Sequence, residues 1–141
     1  MTTPLVIHRD RAGIPLSRRA AAHCAAGAGR LLAKLPPRHL RTVLSKLRAG
    51  AAPANQEQAG SALAAVVAVS VVCAGQGCLP RSIATALLCR ARGVWPTWCV
   101  GVRVEPFYAH AWVEAEGTMV GERFPKEYFR VLMSVPPRRA G

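Results

Sequence analysis

Apolar positions recur at helical spacing up to Gly93 and alternate after it. Leu40, Val43, Leu44 and Leu47 share one face of "PPRHLRTVLSKLRAG", the basic residues take the other, and Gly50 supplies a stop. Ahead of this helix, Ser17 is placed to cap an Ala- and Arg-rich helix running to about Lys34, behind an extended arm over residues 1–15. The run "SALAAVVAVSVVCAG", residues 61–75, is apolar all round, which predicts a buried helix capped by Ser61 and ending near Cys73. It is shorter than the roughly 20 residues that a membrane span needs. "AGAAPANQEQAGS", residues 49–61, reads as a linker, and "AGQG" breaks the apolar helix. The next helix begins around Cys78 with Pro80 in its first turn, where proline is tolerated. Leu79, Ile83 and Leu87 form its apolar row, Ala84, Leu88 and Ala91 lie beside it, and Gly93 follows as a C′ residue.

Beyond Gly93, "TWCVGVRV" (97–104), "AHAWVEA" (109–115) and "TMVGE" (118–122) read as strands, the last two joined through a hairpin at "EG". Helices followed by an antiparallel sheet make an α+β layout. The boundaries expected are a basic helical region with its linker over 1–60, a core over 61–135 and a disordered tail over 136–141.

Composition adds charge to this picture. Of 141 residues, 19 are Lys or Arg against 7 Asp or Glu, a net charge of +12. Such a balance favours an acidic partner. Residues 16–50 contain no aromatic side chain, and no nucleic-acid reader motif is present, so an acidic leader or a partner enzyme fits that surface better than nucleic acid. The five cysteines and the absence of an apolar signal region at the N-terminus imply a cytoplasmic protein without a disulfide framework.

Cys78 opens a helix, where unpaired N–H groups and the positive end of the dipole favour thiolate over thiol. Its own amide points toward the space where an acyl-transfer oxyanion develops. Cys89 lies about 16 Å along the same helix and cannot share the site. Cys73, Cys89 and Cys99 read as core residues. Zinc is disfavoured, because Cys73 and Cys78 have no second tight ligand pair to join.

His110 opens a strand and is the candidate base; His8, His23 and His39 fall in the basic half. With a three-residue loop Ala115–Glu116–Gly117, Glu114 pairs with Thr118 and His110 faces Glu122, the candidate orienting acid. A two-residue loop would send them to opposite faces. Glu114 shares the face of His110 at about 13 Å. Gln76 is either an oxyanion-hole side chain or a polar loop residue. Phe107, Tyr108 and Trp112 are candidates to line a substrate groove or to serve the core.

Together, "GCLPRS", "GVR" ahead of the second strand and "HAWVE…G…V" resemble the lasso-peptide B2 proteins. These are leader peptidases of transglutaminase-like fold, and the resemblance covers roughly residues 65–135. It implies a papain/transglutaminase-like core, a nucleophile helix packed on a small antiparallel sheet, behind the N-terminal helical region. It implies Cys78 as nucleophile, His110 as base and then acid, and Glu122 as orienting acid, a position often Asp in the family. It implies no metal or nucleotide cofactor for the peptidase itself. The first 60 residues are too few for a fused leader-recognition domain, so the precursor peptide, a separate leader-binding protein (a RiPP recognition element) and the ATP-dependent cyclase are the implied partners. A non-catalytic peptide-binding or scaffold protein of the same fold is the competing class.

Overall fold

The helix that begins at Cys78 packs against the N-terminal helix, against the most apolar helix and against strands of the sheet. The computed structural model describes residues 16–70, 77–104, 106–121 and 128–137. In chain order the elements are α1 (Leu16–Leu32), α2 (Pro37–Leu47), β1 (Ala52–Pro53), α3 (Gln56–Val69) and α4 (Cys78–Ala91). They continue as β2 (Val94–Trp95), β3 (Thr97–Arg103), β4 (Tyr108–Ala115), β5 (Thr118–Met119) and β6 (Arg130–Val135). No described helix is long and apolar enough to cross a membrane.

α3 begins earlier than its composition suggests. Asn55 is the N-cap: its side-chain oxygen accepts from the Gln58 amide at 2.8 Å, and its own amide donates to the Gln58 side chain at 2.9 Å. This reciprocal capping box satisfies two otherwise orphaned donors. Half of the expected linker over 49–61 is therefore helix. Ser61 sits inside the helix, where its hydroxyl accepts from Arg92 at 3.3 Å. α3 stops at Val69 rather than near Cys73, since Ser70 is extended (φ −129°, ψ 120°). Residues 71–76, including Cys73 and "AGQ", lie outside the described residues. The buried positions Ala62, Leu63, Ala65, Val66, Val67 and Val69 leave α3 little solvent face, as the unbroken apolar run predicts.

α1 packs against α4 through a stripe of small residues, Ala22, Ala25, Ala26 and Gly29. A Cβ on Gly29 would lie 2.8 Å from the Pro80 carbonyl oxygen and 3.0 Å from the Ala84 nitrogen. The N-terminal helix thus rests directly on the first turns of α4. Gly29→Ala gains about 0.5–1 kcal/mol of helix propensity. Pressing a methyl into backbone costs about 1–3 kcal/mol, so the clash wins and the variant is less stable. At Gly27 nothing lies within 4 Å of the added Cβ, so Gly27→Ala is stabilising. Denaturant midpoints of the two variants should move in opposite directions; a Gly29→Ala midpoint at or above wild type would refute the close approach.

α2 buries Leu40 and Leu44, and its end is closed from a distance. Arg90 of α4 donates from Nε to the Leu47 carbonyl at 2.7 Å and from Nη2 to that of Ala49 at 3.0 Å. α4 ends as expected, with Gly93 at φ +88°.

The main sheet has the order β5-β4-β3-β6, all antiparallel, and β1 pairs in parallel with β2. β6 and the short β1/β2 ladder add to the three strands read from the sequence. "RVLMSV" lacks clean alternation, and β6 joins β3 across a register shift between Val100 and Gly101. Trp98, Val113 and Val135 turn to the helices, where the Trp98 indole donates to Ser82 of α4 at 3.0 Å. Cys99, Trp112, Met119 and Phe129 form a separate cluster on the opposite face. Of the expected tail, Pro136 is held by Arg48, which donates to its carbonyl at 2.7 Å, and residues 138–141 lie outside the described residues.

The hairpin corrects the expected register. Glu114 pairs with Met119 and Ala115 with Thr118, one residue out from the three-residue-loop scheme. Glu116 (φ 55°) and Gly117 (φ 79°) form the two-residue loop, both in the left-handed region that such turns require. The third strand ends at Met119, short of the expected 122, and Gly121 takes a positive φ of 69°.

Candidate active site

Cys78 is the first residue of α4, after Gly77 as N-cap. The Gly77 carbonyl accepts the first helical bond, from the Arg81 amide at 2.9 Å. No side chain caps this end, and the Cys78 amide lies in the first turn, where N–H groups have no intrahelical acceptor.

β4 delivers the candidate base, His110. Its Val113 carbonyl accepts from the Val120 amide at 2.9 Å, so the odd-numbered residues direct their backbone groups toward the β5 side. Two residues earlier, the Ala111 amide on that edge donates to the Cys78 sulfur. The side chain of His110, 2 % exposed, forms a hydrogen bond with the same sulfur. The nucleophile and base expected from the sequence are thus brought together where α4 meets the edge of β4.

Electrostatics favour the thiolate. Burial pushes the Cys78 thiol up, but this is outweighed by the hydrogen bonds from His110 and Ala111 and by the positive charges of His110 and Arg81. The net effect lowers the thiol below its ordinary value. Cys89 shows the contrary case: burial pushes its thiol up to about 12. Cys89 and Cys99 are buried, in keeping with core roles, and Cys24 is exposed.

His110 sits in an aromatic surround. Tyr108 and Trp112 flank it along β4 at centroid distances of 5.7 and 5.8 Å, both with interplanar angles of 19°. Phe129 stacks on it at 5.4 Å. Of the three proposed groove residues, Phe107 is 71 % exposed, Tyr108 is 38 % exposed and Trp112 is buried. Trp112 is therefore a wall behind the histidine rather than an open lining. The Arg103 guanidinium lies over the rings of Tyr108 (5.7 Å) and Tyr128 (4.8 Å) at the rim.

Glu122 and Gln76 lie outside the described residues. The hairpin pairs described, Glu114–Met119 and Ala115–Thr118, are each one residue out from the scheme that set Glu122 opposite His110. Phe129, Arg81, the Ala111 amide and Gly101 escaped the sequence reading. Arg81 and Gly101 left a signal, as the arginine of "GCLPRS" and the glycine of "GVR": Gly101 stands opposite His110, and a Cβ there would lie 2.8 Å from Cη2 of Trp112. Among the described residues, no three His, Cys, Asp or Glu side chains converge as metal ligands would.

A thiolate held by an imidazole at the first turn of a helix can attack a carbonyl, hold the resulting oxyanion and pass a proton to a leaving group. Residues 22–134 match the family described as the transglutaminase-like superfamily. No curated protein and no solved structure matches the chain significantly.

Proposed function

Because the chain belongs to the transglutaminase-like superfamily, we propose that it is a cysteine endopeptidase that removes the leader from a lasso-peptide precursor. The observation that carries this reading is the Cys78 thiol, lowered and hydrogen-bonded by His110 at the start of α4. The resemblance of "GCLPRS", "GVR" and "HAWVE" to the lasso-peptide B2 proteins supplies the substrate class.

The Cys78 thiolate attacks the carbonyl at the leader–core junction, and the Cys78 amide, with Gln76 as a further candidate donor, stabilises the oxyanion. The imidazolium of His110 gives its proton to the leaving amine, which becomes the N-terminus of the core. Water, deprotonated by His110, then attacks the thioester, and Cys78 leaves as thiolate with the leader carboxylate as product. Glu122 is proposed to orient His110. A separate leader-binding protein presents the precursor, and an ATP-dependent cyclase closes the product.

Mass spectrometry of a precursor peptide incubated with this chain and a leader-binding protein tests the reading. The expected products are a leader ending in a carboxylate and a core with a free amine. A precursor left intact would reject the peptidase in favour of a scaffold. Glu122→Gln should slow the reaction less than His110→Ala does, and an unchanged rate would remove Glu122 from the site.

A further inference from the structure

Glu114 is a buried carboxylate, 7 % exposed, on the face of β4 that carries His110, and the chemistry above does not use it. Its Oε2 accepts the indole N–H of Trp112 at 2.9 Å inside the protein. A buried hydrogen bond to a carboxylate is roughly twice as strong as a neutral one. It anchors one end of the indole. Phe129 packs on that ring at 5.3 Å. The far edge of the ring occupies the space left by Gly101, where a Cβ would stand 2.8 Å from Cη2 and 3.1 Å from Cζ3. An indole pinned at its N–H, its face and its edge has one orientation. Its ring stacks on His110 at 5.8 Å and 19°.

We infer that Glu114 and Trp112 are positioning residues: the carboxylate fixes the indole, and the indole fixes the plane of the His110 imidazole and favours its protonated form. Glu114 is four strand residues from His110, about 13 Å, so it acts through the indole and not on the imidazole directly. Tryptophan offers the best aromatic face for a cation, and the carboxylate bond at its N–H enriches that face. The cluster does electrostatically what its packing does sterically, holding the imidazolium partner of the Cys78 thiolate. The inference rests on the cysteine–histidine pairing proposed above. Other titratable or charged groups described around this cluster include Cys78 and Arg81 from α4, Cys99 and Arg103 from β3, Tyr108 on β4 and Tyr128 before β6. Substitution at Glu114 or Trp112 leaves all of them in place.

The test is the pH profile of Cys78 alkylation by iodoacetamide, resolved by site with mass spectrometry in the full chain. Glu114→Ala and Trp112→Phe should move the profile to higher pH, with alkylation at about pH 6 slowed three- to tenfold. Glu114→Gln keeps an oxygen acceptor for the indole but loses the charge, and its profile should fall between those of wild type and Glu114→Ala. A merely structural role would lower the melting temperature without moving the profile. Folded Glu114→Ala and Trp112→Phe proteins with wild-type profiles would overturn the inference, as would a Glu114→Gln profile shifted as far as that of Glu114→Ala. If Glu114→Ala does not fold, Trp112→Phe decides. A wild type that fails to cut precursor, combined with shifted variant profiles, would reject the peptidase and leave the relay standing.

Discussion

Cys78→Ala is expected to abolish the proposed peptide cleavage, with turnover reduced by roughly 10⁴-fold or more, as when the nucleophile of an acyl-enzyme mechanism is removed. No other described cysteine can take over. Cys89 is fully buried, and that burial pushes its thiol up to about 12. Cys99 is buried in the cluster behind His110, and exposed Cys24 lies on α1. The fold should survive, because the change removes one half-buried sulfur and keeps a helix-favouring residue at the start of α4. Circular dichroism and mass spectrometry on the same sample separate the two effects. A folded Cys78→Ala protein that still cuts the precursor would exclude Cys78 as nucleophile.

His110→Ala should remove both cleavage and the reactivity of Cys78. Burial raises the Cys78 thiol, whereas the hydrogen bond and the charge of His110, the Ala111 amide and Arg81 lower it. Without the imidazole, burial meets only the Ala111 amide and Arg81, so the thiol moves up. The sign follows directly: a higher value means less thiolate at neutral pH, so alkylation slows there and its profile shifts alkaline. Exposed Cys24 serves as the internal reference in the same digest. An unchanged Cys78 profile in folded His110→Ala would show that the imidazole does not activate the thiol. The helix terminus acts alongside the imidazole and contributes about 0.3–1 kcal/mol at an exposed end. One pKa unit corresponds to about 1.4 kcal/mol, so a shift of more than one unit identifies the histidine as the larger influence.

Where signals are local, the residues announced the structure. Gly77, Cys78 and Pro80 mark the start of α4 and Gly93 its end, because proline at a first turn and glycine at C′ answer backbone demands within a few residues. The alternation of β4 put His110, Trp112 and Glu114 on one face. The capping box at Asn55 and Gln58 was equally local, but lay within an Ala-, Gly- and Pro-rich stretch that reads as linker. Residues distant in sequence settled the hairpin. Gln56, at the start of α3, donates its backbone N–H to the Glu116 carboxylate at 2.9 Å. Its side chain donates to the Ala115 and Thr118 carbonyls at 2.6 and 2.9 Å. Those bonds grip the turn and accompany a left-handed Glu116, which hairpin statistics alone do not anticipate.

By itself, the amino-acid sequence determined the helix that presents Cys78, the strand that carries His110 and the α+β order, because each depends on hydrogen bonds and side-chain periodicity inside a single element. Tertiary structure alone decided that the Ala111 amide meets the sulfur, that Phe129 and Gly101 hold the Trp112–His110 stack, and that the hairpin takes the shorter loop. Those contacts join elements far apart in the chain, and packing across the interfaces sets them.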